Sequence, residues 1–149
     1  MGIKTMISRI TLAIAAAFAV FAGQAASAQG PGVEGVWSNP KGSVQVKTGN
    51  CGEKLCGVVV YASQKAQADT KKAGAAPLIG TTLLRGYRAN GTAEWAGQVY
   101  VPDRKASYYS TIQLVDAQTL KVSGCILGGL ICKSQIWHRV PSAGSMAAR

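Results

Sequence analysis

Thr81-Thr-Leu-Leu-Arg-Gly-Tyr-Arg88, Ala89-Asn90-Gly91-Thr92 and Ala93-Glu-Trp95-Ala-Gly-Gln-Val99-Tyr100-Val101 follow one another without a break. The outer two pieces are rich in β-branched and aromatic residues, and the Asn-Gly between them is the strongest short signal for a hairpin. Working outward, the same texture repeats. Pro102-Asp103 ends the second run, Ser107 to Val115 follows, and Thr119 to Cys125 and Cys132 to Val140 flank a loop bounded by cysteines. On the N-terminal side lie Val33 to Ser38, Ser43 to Lys47 with Val44 and Val46 on one face, and the Val58-Val-Val-Tyr61 run. Alternation of period two, broken by turn residues about every 8 to 12 positions, predicts an antiparallel all-β domain of eight strands. The stretch from Ala62 to Ala76 has no alternation and is rich in Ala, Lys and Gln, so it is expected to form one short helix or a long loop inserted between the third and fourth strands. Eight strands linked in sequence are best satisfied by closing the sheet into a barrel, because closure removes both unpaired edges. The interior of an eight-stranded barrel suits packed side chains or one small ligand.

The N-terminus supplies the expected compartment. Lys4 and Arg9 precede a largely apolar run of 13 residues from Ile10 to Ala22, and Ala26-Ser27-Ala28 offers small side chains for cleavage. Residues 1–28 are therefore expected to be a signal peptide, residues 29–140 a single barrel domain, and residues 141–149 a small, polar, disordered tail. The apolar run is shorter than the about 20 residues a membrane span needs, so the processed chain is expected to be periplasmic or secreted and not an integral membrane protein. Without Lys4 and Arg9 the 16 Lys and Arg become 14 against 6 acids, a net charge of about +8. Such a charge outside the cytoplasm favours an anionic envelope surface as partner and disfavours nucleic acid. The cations are scattered, with Lys71-Lys72 and Arg104-Lys105 the only adjacent pairs, which also suits a plain solvated surface.

Four cysteines in an oxidising compartment read as disulfides. Each close pair brackets a glycine-containing turn, so Cys51 is expected to pair with Cys56 and Cys125 with Cys132. The gaps do not match zinc-ligand spacing, and with one histidine in the chain no metal or cofactor is expected.

Gly35-Val-Trp37 opens the first strand and Trp137-His138-Arg139 lies on the last. This pairing is similar to the lipocalin and calycin arrangement, in which a G-x-W tryptophan plugs one end of the barrel and a late arginine packs across its ring. Nearly the whole of residues 29–140 takes part in a second likeness, carried by Gly35-x-Trp37, Cys51-Gly-Glu-Lys-Leu-Cys56-Gly57, Pro77-Leu-Ile-Gly80, Leu84-Arg-Gly-Tyr87, Trp95-Ala-Gly97, Val99-Tyr100-Val-Pro102, Leu120-Lys-Val122, Gly124-Cys125 and Gln135-Ile-Trp137-x-Arg139. In order and spacing these pieces resemble a family of small exported bacterial proteins known as domain of unknown function 2147. The resemblance implies export and a lipocalin-like barrel plugged by Trp37 and Arg139, and it implies no established activity.

The residues point to binding rather than catalysis. His138 stands alone, no serine occupies a G-x-S-x-G elbow, and Glu34, Glu53, Asp69, Glu94, Asp103 and Asp116 fall mostly at turns or strand ends. A catalytic role is not expected. The expected function is capture of a small hydrophobic or anionic ligand, with Trp95, Val99, Tyr100, Tyr108, Tyr109 and Ile112 as candidate lining residues, of which alternation allows only about half to face inward. The alternative is an envelope interaction protein with a filled barrel that acts through its basic outer surface, and an open interior of several hundred Å3 would separate the two. Ile126-Leu-Gly-Gly-Leu-Ile131 is unusually apolar for a hairpin tip. It either folds back over a barrel end or projects as an apolar patch. Export predicts that the intact mass of the protein corresponds to a chain beginning at Gln29; recovery of residues 1–149 from the membrane fraction would contradict it.

Overall fold

In the computed structural model, residues 32–142 are described; the expected signal peptide and the tail beyond Ser142 lie outside that range. Eight antiparallel strands close into a barrel in chain order: β1 (Gly35–Ser38), β2 (Val44–Cys51), β3 (Lys54–Ala62), β4 (Thr82–Gly91), β5 (Glu94–Val101), β6 (Ala106–Asp116), β7 (Thr119–Ile126) and β8 (Ile131–Arg139). The stretch after β3 contains one helix, α1 (Gln64–Lys72), started by Ser63, whose hydroxyl accepts the backbone N–H of Ala66 at 3.2 Å. All eight strands expected from the alternation are present, and the largest differences are at two turns. β2 and β3 run on to Cys51 and back to Lys54, because the first disulfide draws its own turn into the ladder. The β4–β5 tip is Thr92-Ala93 rather than Asn90-Gly91. Gly91, at φ +144°, pairs with Glu94 while Ala93 takes the left-handed conformation, and the Asn90 amide donates to the Glu94 carboxylate across the turn.

Successive turns alternate between the two ends of the barrel. The start of β1, the β2–β3, β4–β5 and β6–β7 turns and the end of β8 share one end. The β1–β2 turn, α1 and the β5–β6 and β7–β8 turns share the other. The core runs from the plug along the β1–β4 side, where Val46, Val59 and Leu84 lie on the halves of their strands toward the second end. Trp37 is fully buried, with Val46, Val59, Leu84, Ile112, Leu120 and Trp137 in the same cluster. The Trp37 indole N–H is shared between the Val33 carbonyl at 3.0 Å and the Thr48 hydroxyl at 3.2 Å, and that hydroxyl donates to Val33 at 2.6 Å. A buried indole thus has its single polar group satisfied.

Arg139 closes this end. Its guanidinium carbon lies 4.2 Å above the centre of the Trp37 ring. Nε donates to the carbonyl of Ala117 at 2.6 Å, Nη1 to Glu34 at 2.8 Å and Nη2 to Gly32 at 2.6 Å. One side chain therefore ties the segment before β1, the β6–β7 turn and β8 to the plug. Gly35 is required here: its φ is +144°, and a Cβ at this position would overlap the Arg139 guanidinium.

The seam between first and last strands is short. β1 pairs with β8 only through Trp37–Arg139 and Ser38–His138. Among the described residues, β8 from Ile131 to Trp137 has a paired strand, β7, on one side alone. The second disulfide, Cys125–Cys132, joins β7 and β8 where their Cα atoms are 4.0 Å apart, at the base of the apolar tip.

Trp37→Ala is expected to cost about 3–5 kcal/mol as a core truncation, and Gly35→Ala about 1–3 kcal/mol through backbone strain and displacement of Arg139. Arg139→Ala should cost less than Trp37→Ala, and a double-mutant cycle measured by chemical denaturation should give a coupling of about 0.5–3 kcal/mol. Additive effects would count against the closure described here.

Candidate ligand cavity

The end opposite the plug is hollow. A cavity of about 570 Å3 opens there, walled by β5 through Val99 and Val101, by Tyr108 of β6, by Val122, Gly124 and Ile126 of β7, and by Lys133, Gln135 and Trp137 of β8, with Arg104 at the rim. Its volume lies within the range of small-molecule sites.

Strand register explains the hollow. Trp95, Ile112, Val122 and Gln135 form one cross-strand row from β5 to β8, and Gly97, Ser110, Gly124 and Lys133 form the next row toward the open end. The second row supplies two glycines and a serine where large side chains would otherwise meet. The space over Gly97 is taken by Tyr87 of β4, against which a Cβ on Gly97 would collide. The space over Gly124 is left to the cavity: a Cβ there would meet only Val99 Cγ1, at 3.4 Å.

The polar groups in the wall have one character. The Trp137 indole N–H donates to the Gln135 carbonyl oxygen at 3.0 Å, which fixes that side chain and leaves its NH2 as a donor. Lys133 and Arg104 add a cationic ammonium and a guanidinium, and the one ion pair among the described residues, Lys65–Asp69 at 2.7 Å, involves neither. Among the described residues, no carboxylate and no histidine lines the cavity. A wall of aliphatic and aromatic surface with three converging donors suits a ligand that is apolar in its body and rich in acceptors at one end.

Four of the six expected lining residues face inward, in two different places. Val99 and Tyr108 line the cavity, whereas Trp95 and Ile112 pack lower down in or against the core. Tyr100 and Tyr109 do not line it, because they have the opposite parity on their strands. Tyr109 pairs with Gln98 on the outer face, and the Tyr100 ring carries the Arg85 guanidinium 4.0 Å above its centre. The sequence reading missed the β7 and β8 walls. On β8, Lys133 and Gln135 line the cavity mouth, while Ile136, next to Gln135 and of opposite parity, is 41% exposed on the outer face. That inversion, polar inside and aliphatic outside on one strand, is the signal that marks the wall.

Deeper in the barrel, the hydroxyls of Tyr87 and Ser110 are buried and have no hydrogen-bond partner among the described residues. Burial pushes the Tyr87 phenol above its ordinary range, against the smaller opposing influence of the neighbouring Ser110 hydroxyl. At the closed end, the Gln118 backbone N–H donates to the Asp116 carboxylate at 2.7 Å and holds its pKa below the usual carboxylate range.

The family model described as "Uncharacterized protein conserved in bacteria (DUF2147)" matches residues 35–139. The chain belongs to this family. The match runs from the glycine of the plug motif to Arg139 and so spans all eight strands. No curated protein matches the chain. Among solved structures, HP1028 from Helicobacter pylori, described as belonging to the lipocalin family, is similar with a TM-score of 0.59 and 12% identity, covering 76% of this chain and 86% of that one. At that identity the likeness concerns the fold. This DUF2147 chain is a closed, eight-stranded, lipocalin-like barrel.

Because the folded state holds Tyr87 neutral and an unfolded chain lets it ionise, its contribution to stability is present below the ordinary tyrosine pKa of about 10 and is lost as pH rises beyond it. Tyr87→Phe should therefore keep stability near neutral pH, since it removes a hydroxyl without a partner, and should lessen the fall in Tm above pH of about 10. Equal alkaline losses in both proteins would show that Tyr87 does not drive the transition.

Proposed function

We propose that this protein is a non-catalytic binding module, exported to the periplasm or secreted, that holds a small amphiphile with an apolar body and an anionic or acceptor-rich head. The observation that carries the reading is the character of the cavity wall: apolar surface from Val99, Val122 and Trp137, and converging donors from Lys133, Gln135 and Arg104. The apolar part would lie over Gly124, where the barrel lacks a side chain, and the head would face β8 and the rim. Two disulfides are in keeping with an oxidising compartment, and among the described residues no helix is long and apolar enough to cross a membrane. An interior of about 570 Å3 favours this reading over a filled barrel that acts only through its outer surface.

The test uses decanoate and decanol as competitors for the fluorescent anion 1-anilinonaphthalene-8-sulfonate. Decanoate should displace the dye more tightly than decanol, and Lys133→Glu should weaken decanoate by about fivefold, the scale of one partly exposed charge contact. Gly124→Val fills the hollow from a strand position that accepts a β-branched residue, so it should abolish displacement while leaving Tm close to that of the unaltered protein. Equal affinity for decanoate and decanol, or full binding by Gly124→Val, would overturn the reading.

A further inference from the structure

The β7–β8 tip presents two leucines that are largely in solvent and do not line the cavity. Leu130 is 85% exposed and Leu127 67%, with Ile126 and Ile131 beside them about half exposed. Leu127, Gly128 and Gly129 all have φ between +50° and +100°, so the tip is a tight left-handed loop, and the Cys125–Cys132 bridge holds its base. Its two leucines stand in solvent and do not fold back over the cavity.

The acids are sorted along the barrel axis, while cations occur at both ends, with Lys54 and Arg139 at the plugged one. Four of the six acids, Glu34, Glu53, Glu94 and Asp116, lie at the plugged end. The open end carries Lys41, Lys71, Lys72, Arg104 and Lys105 in its turns and at the end of α1, with Lys133 in the cavity wall. Of the two acids at that end, Asp69 is already paired with Lys65, which leaves Asp103. Lys105 also lies against Gly74, just past α1, so the cations of the β5–β6 turn and the helix terminus adjoin.

We infer that the open end docks on an anionic lipid bilayer, with Leu127 and Leu130 inserted at the headgroup boundary and the cations of that end on the lipid phosphates. An apolar tip at the same barrel end as a group of cations is the composition that interfacial membrane binding requires. A second copy of this chain is a poor occupant, because like charges would face each other across the contact. A protein partner fits less well than a bilayer, because a two-leucine point offers little area for a flat interface. Docking in this orientation brings the cavity mouth against the bilayer. The inference concerns the outer rim and stands independently of whether the cavity takes a ligand.

The test is co-sedimentation of the protein, isolated in the same form for every variant, with vesicles of phosphatidylglycerol and phosphatidylcholine or of phosphatidylcholine alone. Binding should require the anionic lipid and weaken as salt shortens the screening length. The double variant Leu127→Ser, Leu130→Ser should bind at least about tenfold more weakly, the scale of losing one buried leucine, with an unchanged Tm. Lys71→Glu, Lys72→Glu should also weaken binding, whereas Val115→Ser, which alters an exposed aliphatic residue near the plugged end, should not. The inference is overturned if the protein binds phosphatidylcholine equally well or neither vesicle. It is also overturned if the leucine variant binds as before or loses thermal stability, since the latter would make the tip a covering lid.

Discussion

The contact on which this structure depends is the Arg139 guanidinium over the Trp37 ring. A sheet of eight strands closes only if its first and last strands meet, and here they meet through two residue pairs, one of which is Trp37–Arg139. So short a ladder is weak as backbone pairing. What strengthens it is that Arg139 also donates to three carbonyls from two other segments, while the plug is fully buried and its indole N–H satisfied. The guanidinium can serve in this way because its donors form a planar fork and its face remains free to stack, which a lysine could not reproduce. Partial desolvation draws its pKa down, though a guanidinium so far above neutrality stays charged.

Closing one end so firmly leaves the other free to be different. Large side chains, Trp37, Leu120 and Trp137, concentrate at the plug, and the wall thins toward the opposite end as Gly97, Ser110 and Gly124 replace them. The resulting gradient turns an otherwise filled small barrel into a cup. Its floor is apolar, its wall mixed, and its rim cationic. The two disulfides sit at opposite ends, one at the β2–β3 turn beside the plug and one beneath the β7–β8 tip, so both extremes of the cup are held by covalent bonds.

The architecture was legible because strand alternation is a local property. Val44 and Val46, the residues around Asn90-Gly91, and the two cysteine loops each announce a strand or a turn without reference to the rest of the chain. The closing contact could also be read, since Gly35-x-Trp37 and Arg139 belong to a recognisable pattern. The site was much less legible. Tyr100 and Tyr109 attract notice as aromatics but have the wrong parity, and parity relative to a cavity depends on which strands adjoin, a long-range fact. Lys133 and Gln135 look like solvent-facing residues because a polar side chain that faces water inside a cup has the same composition as one that faces water outside. The hollow itself comes from Gly124 standing beside Ser110 while Tyr87 fills the space over Gly97, and register across several strands is not written in any one of them.

The brevity of β1 has a mechanical consequence. β8 is anchored at Arg139 and His138 and, from Ile131 to Trp137, is held along one edge only, so it behaves as a cantilever clamped at the plug and hinged along β7. The disulfide near its tip ties it to β7, which is itself laddered to β6, and adds no link toward β1. The compliant part of the wall is therefore the part that carries Lys133 and Gln135. A wall built this way concentrates its least-paired backbone and two of its donors on one strand, so any change of girth there would move wall and donors together.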